Sequence, residues 1–479
     1  MTTLIGGEML LWSDLDGSHG PAPAQGDALR SLTSKACGRT LVAGPHAPSL
    51  LPAGDVTVLI RGAEDAPAYA THPGVTVLCG SLEKLSGSYD TVIALDGLDR
   101  LHSAEAPPFS WDETLTQLRA VLAPGGRLLL GMENLFGVHR LAARPTPPAD
   151  TDWTVPDDRD PHRPAGHARL LARLESAGLD ITHDYAAYPS LSSPSVLLGR
   201  TALNSPSGAL SAAIAAAFPR VAASDPAALI DPVRLASTAC RNGLTVELAP
   251  AWIVVATSGE ATTSSFPELV INAEPVTVSS LPQGRTLEDH LLAAAQRRDL
   301  PAMRALLTTW QSGPSAGVPA DRVVLTSVQE SSGALVPLAS PGDPLKALRA
   351  FASTAIAGGY AHLWPIQADE TELTAVLAGM TGRELDPAEV PPADHPATPS
   401  TADLLSDRER LTRELSEAKA KHEWYEKMLL HREAEVKRVR QMNALLSATA
   451  PGRAATSLVG GLRAGKRAVR AVVRRTRGN

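Results

Sequence analysis

The residues of this chain able to do chemistry stand mostly at the ends of short apolar runs. Asp96 closes YDTVIALD, His102 lies in LDRLHS, and Glu133, Asn134, His139 and Arg140 follow RLLLGM. Ligands of open α/β sheets bind beyond the carboxyl ends of the strands, so carboxylates and imidazoles placed there would move protons or hold a polar ligand. A single histidine is more often a core or surface residue than a catalyst, and Glu133 and Asn134 equally suit a cap on the next turn. No HxxxH pair, GxSxG elbow, GxxxxGK(S/T) phosphate loop or aromatic–basic RNA motif occurs. Cys37, Cys79 and Cys240 are scattered, without a CxxC or paired histidines nearby. That argues against a disulfide framework or a structural zinc site and fits a reducing cytoplasm. No catalytic residue and no metal follow from the residue types alone.

The elements that must position these groups are legible from the apolar pattern. RTLVAG, DVTVLIRG, GVTVLCG and YDTVIALDG are Val/Leu-rich runs bounded by Gly, Pro or Asp, as buried parallel strands require. A helix over about Trp111 to Leu122 sets Leu115, Leu118 and Leu122 on one face, stops at APGG, and yields to the strand RLLLGMEN. After a loop rich in Pro and Asp, a helix HARLLARLESAG leads to LDITHDYAAY and SPSVLLGR, read as a closing antiparallel pair. Alternating strands and helices predict a doubly wound α/β domain over residues 1–203. Residues 1–35 are hard to place beyond a short helix in GDALRSLTSKAC.

Residues 204–394 read as a separate α+β accessory domain with three apolar helical stretches and several strand-like pieces. A linker rich in Pro, Ala and Thr closes it, over 395–403. From 404 to 446 a heptad seam runs through Leu404, Leu411, Leu415, Ala418, Tyr425, Leu429, Val436, Val439 and Leu446, with His422, Arg432 and Asn443 on the same line. It reads as a coiled coil, best as a homo-oligomer seam, with a long solvated single helix as the alternative. Residues 447–479 form a basic tail. Leu458, Leu462, Val469, Val472 and Val473 fall on one side, Arg463, Lys466, Arg467, Arg470 and Arg474 on the other. That pattern suits an anionic membrane surface; nucleic-acid binding and a solvated tail are the competing readings.

Composition bounds these readings. The chain has 479 residues, too many for one core, with 44% hydrophobic, 20% charged and only 4% aromatic residues. The net charge of −7 hides an acidic body and a tail without acids beyond Met442, so an anionic partner should meet the tail. MTTLIGGEMLLWSD lacks the basic start of a signal peptide, and no apolar run spans a bilayer. The expected location is cytoplasmic, with peripheral association at the inner membrane through the tail.

YDTVIALDGLDRL followed by LTQLRAVLAPGGRLLLGMEN resembles the piece that class I S-adenosylmethionine (SAM) methyltransferases carry around their fourth and fifth strands. The resemblance covers about a third of the chain. It implies SAM as cofactor, contacted by Ala43, Gly44 and Pro45 after the first strand, Ile60 and Arg61 after the second, Ser81 and Leu82 after the third, and Asp96 after the fourth. The chain departs from the family's pattern at these places. Gly44 matches the first loop glycine, but Val42 replaces the acid, His46 the second glycine and Pro48 the third. Ile60 and Arg61 stand where an acid should grip the ribose, and Ser81 where an Asp should meet the adenine.

The segment QGRTLEDHLLAAAQRRDLPAMRALLTTW is similar to part of the aminoglycoside-kinase-like domains fused to some methyltransferases of surface-glycan clusters. Leu325-Thr326 and Leu338-Ala339 occupy the places of the catalytic and metal-binding acids, so a kinase relation implies lost kinase chemistry; an unrelated accessory domain explains the segment equally. The domain order then implies a SAM-dependent methyltransferase acting on a glycan or related precursor at the cytoplasmic membrane face. The alternative is a non-catalytic scaffold of the same fold that organises membrane-associated glycan enzymes. The first loop discriminates between them: side chains of Pro45, His46 and Pro48 filling the cofactor pocket favour the scaffold.

Overall fold

The computed structural model describes residues 2–17, 20–143, 160–205, 207–218, 230–259, 265–326, 333–357, 369–392, 401–448, 458–459, 461–463 and 465–466. Its centre is a mixed, parallel-rich sheet of 11 strands. In chain order these are β1 (Thr2–Gly6), β2 (Thr40–Ala43), β3 (Val56–Ile60), β4 (Val75–Gly80), β5 (Tyr89–Ala94), β6 (Leu122–Glu133), β7 (Asp180–Tyr188), β8 (Val196–Gly199), β9 (Ala251–Thr257), β10 (Leu269–Ile271) and β11 (Glu274–Pro275). Across the sheet they run β1-β4-β3-β2-β5-β6-β9-β7-β8-β10-β11. The pairs from β1 to β6 are parallel, and those from β6 to β11 antiparallel.

The continuous apolar runs behave as expected of strands covered on both faces. Leu41, Ala43, Leu59, Val92 and Ala94 feed one core, while Val42, Val58, Ile60 and Ile93 feed the other. The period of two deals alternate residues to opposite faces, so both layers are dry. Ile60, expected at the cofactor, is 2% exposed and belongs to this core. The expected helix is found at Trp111–Ala120, started by a Ser110–Glu113 capping box and buried through Trp111, Leu115 and Leu118. APGG, expected as a stop before the strand, lies inside β6, with Gly125 at φ +73.

Two placements differ from the sequence reading. The segment 2–6, left unplaced, adds β1 to the sheet edge in parallel with β4. The boundary at 203 is also corrected: β9, β10 and β11, assigned to the accessory region, complete the main sheet. β9 lies between β6 and β7, antiparallel to both. Its seven residues are all buried, and pairing along both edges satisfies its backbone groups as burial demands. β7 and β8 form the expected antiparallel pair, outside β9.

Beyond this sheet, β12 (Gly284–Thr286), β13 (Val323–Thr326) and β14 (Leu335–Pro337) make a small antiparallel sheet. Helices Leu287–Gln296, Leu300–Ser312, Pro344–Ala357 and Glu370–Met380 share a separate core with β13 around Trp310, Leu307, Val323 and Phe351. These strands and helices begin at residue 284. Residues 403–479 are a unit of their own. Its helix, Thr401–Ala448, is unbroken over 48 residues. The linker residues 393–400 and most of the basic tail lie outside the described residues. No described helix is long and apolar enough to cross a membrane.

Candidate ligand cleft

Strand order reverses between β2 and β5, because the chain proceeds outward to β3 and β4 and then returns to β5 on the other side. Ligands of open α/β sheets sit at such a switch point, outside the carboxyl ends of the strands. The loop after β2 opens with Gly44 at φ +88, a backbone conformation that favours glycine. Two residues on, His46 is fully buried and spans the switch point. Its Nδ1–H donates to Gly44 O (3.1 Å) and its Nε2 accepts from the Leu95 N–H (3.0 Å), directly after β5. Burial pulls the imidazole down to about 4, and nearby Arg100 adds to that, so the ring is neutral at pH 7. The second-glycine position of the resemblance is thus filled by a side chain bonded on both edges.

The chain's own amino-terminal segment lies across the same strand ends. Gly6 O accepts from the Ser81 N–H beyond β4, and Met9 bridges Arg61 and Ala63 beyond β3. Ala24 bridges Pro45 and Ala47 beyond β2, by Ala24 N to Pro45 O (3.1 Å) and Ala47 N to Ala24 O (2.8 Å). Three strand ends in succession therefore direct backbone groups at Gly6, Met9 and Ala24. Gly62 permits the approach: a Cβ there would stand 2.4 Å from Trp12 O.

Charge anchors the segment. Arg61 is 2% exposed and grips Asp14 with both branches, Nε to Oδ2 at 2.8 Å and Nη2 to Oδ1 at 2.7 Å. Its guanidinium packs over the Trp12 ring, 5.4 Å from the centroid, and Nη1 reaches His102 O. Arg100 is buried likewise, donating to both oxygens of Asp96 and to Pro21 O (2.8 Å) and Ala22 O. Burial pushes the Asp96 carboxyl up to about 6 even with Arg100 against it, which still leaves it ionised at pH 7. Arg61 and Arg100 thus face Asp14 and Asp96 in one dry site, the pairing that buried ions need in order to be tolerated. Asp65 accepts from Ser13 Oγ and the Asp14 N–H, closing the segment onto the helix start after β3.

These placements correct several sequence expectations. Arg61 does not stand in for a ribose-binding acid: a guanidinium only donates, and three of its bonds go to Asp14 and His102 O. Ser81 is fully buried and bonded to Glu83, His102 and the Ser103 N–H, so its hydroxyl does not face an adenine position. Leu82 is core, as is Ala43. Asp96 does lie at the cleft, paired with Arg100, and Pro45 contributes its carbonyl to Ala24. Asn134 caps the turn after β6, donating to Glu247 O and Ala249 O at 2.8 Å each. As arranged, the residues present do not form the cradle that the resemblance implies for SAM. Asp14 and Trp12 were beyond sequence reasoning, because their signal is a contact with Arg61 across 47 and 49 positions.

A second polar group sits where β6 ends. Glu133 Oε1 accepts from His139 Nε2–H (2.8 Å) and Arg140 Nε (2.9 Å). Burial alone would raise this carboxyl, but His139 and Arg140 outweigh it and hold it below its ordinary value. His139 Nδ1 is buried without a partner, and the neighbouring Phe136 ring is 66% exposed. No cluster of metal-ligating side chains occurs among the described residues.

No family model matches the chain, and no curated protein matches it. Solved structures that resemble part of it are SAM-dependent methyltransferases. The N-methyltransferase NodS from Bradyrhizobium japonicum WM9 is 14% identical over 34% of this chain and 84% of its own, with a TM-score of 0.23. NodS has also been solved with S-adenosyl-L-homocysteine. A TehB-like methyltransferase from Corynebacterium glutamicum is 10% identical over 51% of this chain and 92% of its own, at 0.24. The CcbJ methyltransferase from Streptomyces caelestis is 15% identical over 49% and 94%, at 0.26. Likenesses this remote assign no activity to the chain.

Proposed function

We propose that the chain is a methyltransferase-like protein in which residues 6–17 and 20–24 take the place of a ligand in the cleft, so that the fold serves as a non-catalytic scaffold. The observation that carries this reading is the Arg61–Asp14 pair. The position expected to grip a ribose instead grips a carboxylate of the chain itself, while His46 closes the switch point from below. Organisation of glycan enzymes at the cytoplasmic membrane face is the setting we attach to it, on the sequence order of cleft domain, accessory region, coiled coil and basic tail. Descent of the accessory region from a kinase belongs to the same proposal and rests on the segment 283–310 alone.

A second reading, a SAM-dependent methyltransferase acting on a glycan or related precursor, is favoured by the Glu133–His139 pair beside the exposed Phe136. SAM would then have to displace the segment held by Asp14 and Ala24. Calorimetric titration of the full chain with SAM separates the readings. The scaffold gives no heat of binding up to millimolar SAM, about −4 kcal/mol at the standard state. A dissociation constant below about 10 μM, with faster hydrogen exchange at residues 9–15 on SAM addition, establishes the transferase and overturns the scaffold.

A further inference from the structure

We infer that the helix Thr401–Ala448 pairs with the same helix of a second copy, parallel and in register. The single helix leaves its seam in water: Leu411, Leu415, Tyr425, Leu429, Val436, Val439 and Leu446 are between 48% and 65% exposed. Isolated helices gain little from propensity alone, so 48 unbroken residues with this pattern call for a partner helix. Steps of four and three place Leu415, His422, Leu429, Val436 and Asn443 at a positions and Leu411, Ala418, Tyr425, Arg432, Val439 and Leu446 at d positions.

The flanking charges choose the partner and its direction. In a parallel pair each g residue faces the e residue five positions on in the other copy. Glu414 then meets Lys419, Lys421 meets Glu426, and Glu435 meets Arg440, all of opposite sign; Met428 meets Glu433, and no facing pair carries like charges. Within one chain Glu414, Glu426 and Glu435 have only loose i,i+4 contacts of 3.4–3.8 Å, about 60% exposed, which leaves them able to reach across. Asn443 faces its own counterpart, where two amides can bond each other; a polar a residue of this kind fixes register at some cost in stability. An antiparallel pair of equal overlap would instead set His422 against Arg432 and Asn443 against Leu411. Arg432 is the least favourable seam residue in either arrangement, and its long stem lets the charge remain in water. Parallel pairing also sends both basic tails off the same end, doubling the charge offered to one surface.

Light scattering on the full chain should give twice the chain mass; a monomer, a trimer or a larger mass overturns the inference. Direction is read by oxidation in a Cys37→Ser background. Val436→Cys should cross-link into a dimer, whereas cross-linking of a Leu415→Cys chain to a Val439→Cys chain, without Val436→Cys doing so, would show antiparallel pairing and overturn it. Partner choice is read by reversing charges on this helix, at positions outside residues 1–402. Lys419→Glu, Glu426→Lys and Arg440→Glu together should weaken self-association at least about tenfold. Mixing with a chain carrying Glu414→Lys, Lys421→Glu and Glu435→Lys should restore a dimer. Unchanged self-association of either triple variant overturns the assigned register.

Discussion

Replacing Asp14 by Asn keeps the side-chain shape and the acceptor for Trp12 Nε1 but removes the charge that neutralises Arg61. The two side chains are 1% and 3% exposed, so solvent cannot take over for the lost carboxylate. Removing one partner of a buried ion pair costs about 3–5 kcal/mol, because the other charge stays buried and uncompensated. Arg100, 3.9 Å from Asp14, adds a second cation left with one carboxylate fewer. The cheapest relief is release of residues 6–17 and 20–24 from the strand ends, which hydrogen exchange reads directly at the amides of Met9, Asp14 and Leu15. At about 1.4 kcal/mol per decade, their exchange should accelerate by about two to three decades. A companion Arg61→Met in the same chain removes the stranded charge and should recover most of the protection. Acceleration below threefold in Asp14→Asn, or a double variant as fast as the single one, would refute the view that charge pairing holds the segment.

The neutral His46 makes the cleft sensitive to acid. Its imidazole is pulled down to about 4 against an unfolded value of 6.5, so its contribution is complete above 6.5 and is lost as pH falls from 6.5 to 4. That amounts to about 3 kcal/mol over the window. The Asp96 carboxyl, raised to about 6, works in the opposite direction, and comparison with His46→Gln cancels it. Above pH 6.5 the wild type should have the higher urea midpoint, and its advantage over His46→Gln should shrink as pH falls from 6.5 to 4; a constant difference down to pH 4 removes His46 from the account. In the accessory region, burial first and then Asp321 and Asp289 push the Glu288 carboxyl up to about 8. Its contribution is full below 4.5 and is lost as pH rises through 8, so Glu288→Gln should raise the thermal midpoint increasingly over that window, and an equal shift at pH 4 and pH 8 would contradict this. The tail should carry the chain onto anionic but not neutral vesicles, and less so in high salt, since the Debye length is about 8 Å at physiological ionic strength. Equal binding to both lipids removes the electrostatic argument, and tight binding to duplex DNA without binding to vesicles favours nucleic acid.

Local pattern determined much of this protein. Apolar runs such as TLVA and VTVLI became strands buried on both faces, because a residue's period within its own segment decides which faces it can cover. The spacing of Leu115 and Leu118 marked a helix, and seven-residue steps marked the helix of the second unit. At the cleft, the sequence alone showed that His46, Arg61 and Ser81 differ from a cofactor-binding pattern. It did not show what they do instead. Tertiary structure decided that β9 enters between β6 and β7, that Gly62 admits the Trp12 backbone, and that Arg61 is answered by Asp14. Each of these is a contact between residues dozens of positions apart, set by which surfaces meet once the sheet has closed. No local period encodes such a meeting, so a segment unplaced in the sequence turned out to cover the very strand ends where a ligand would lie.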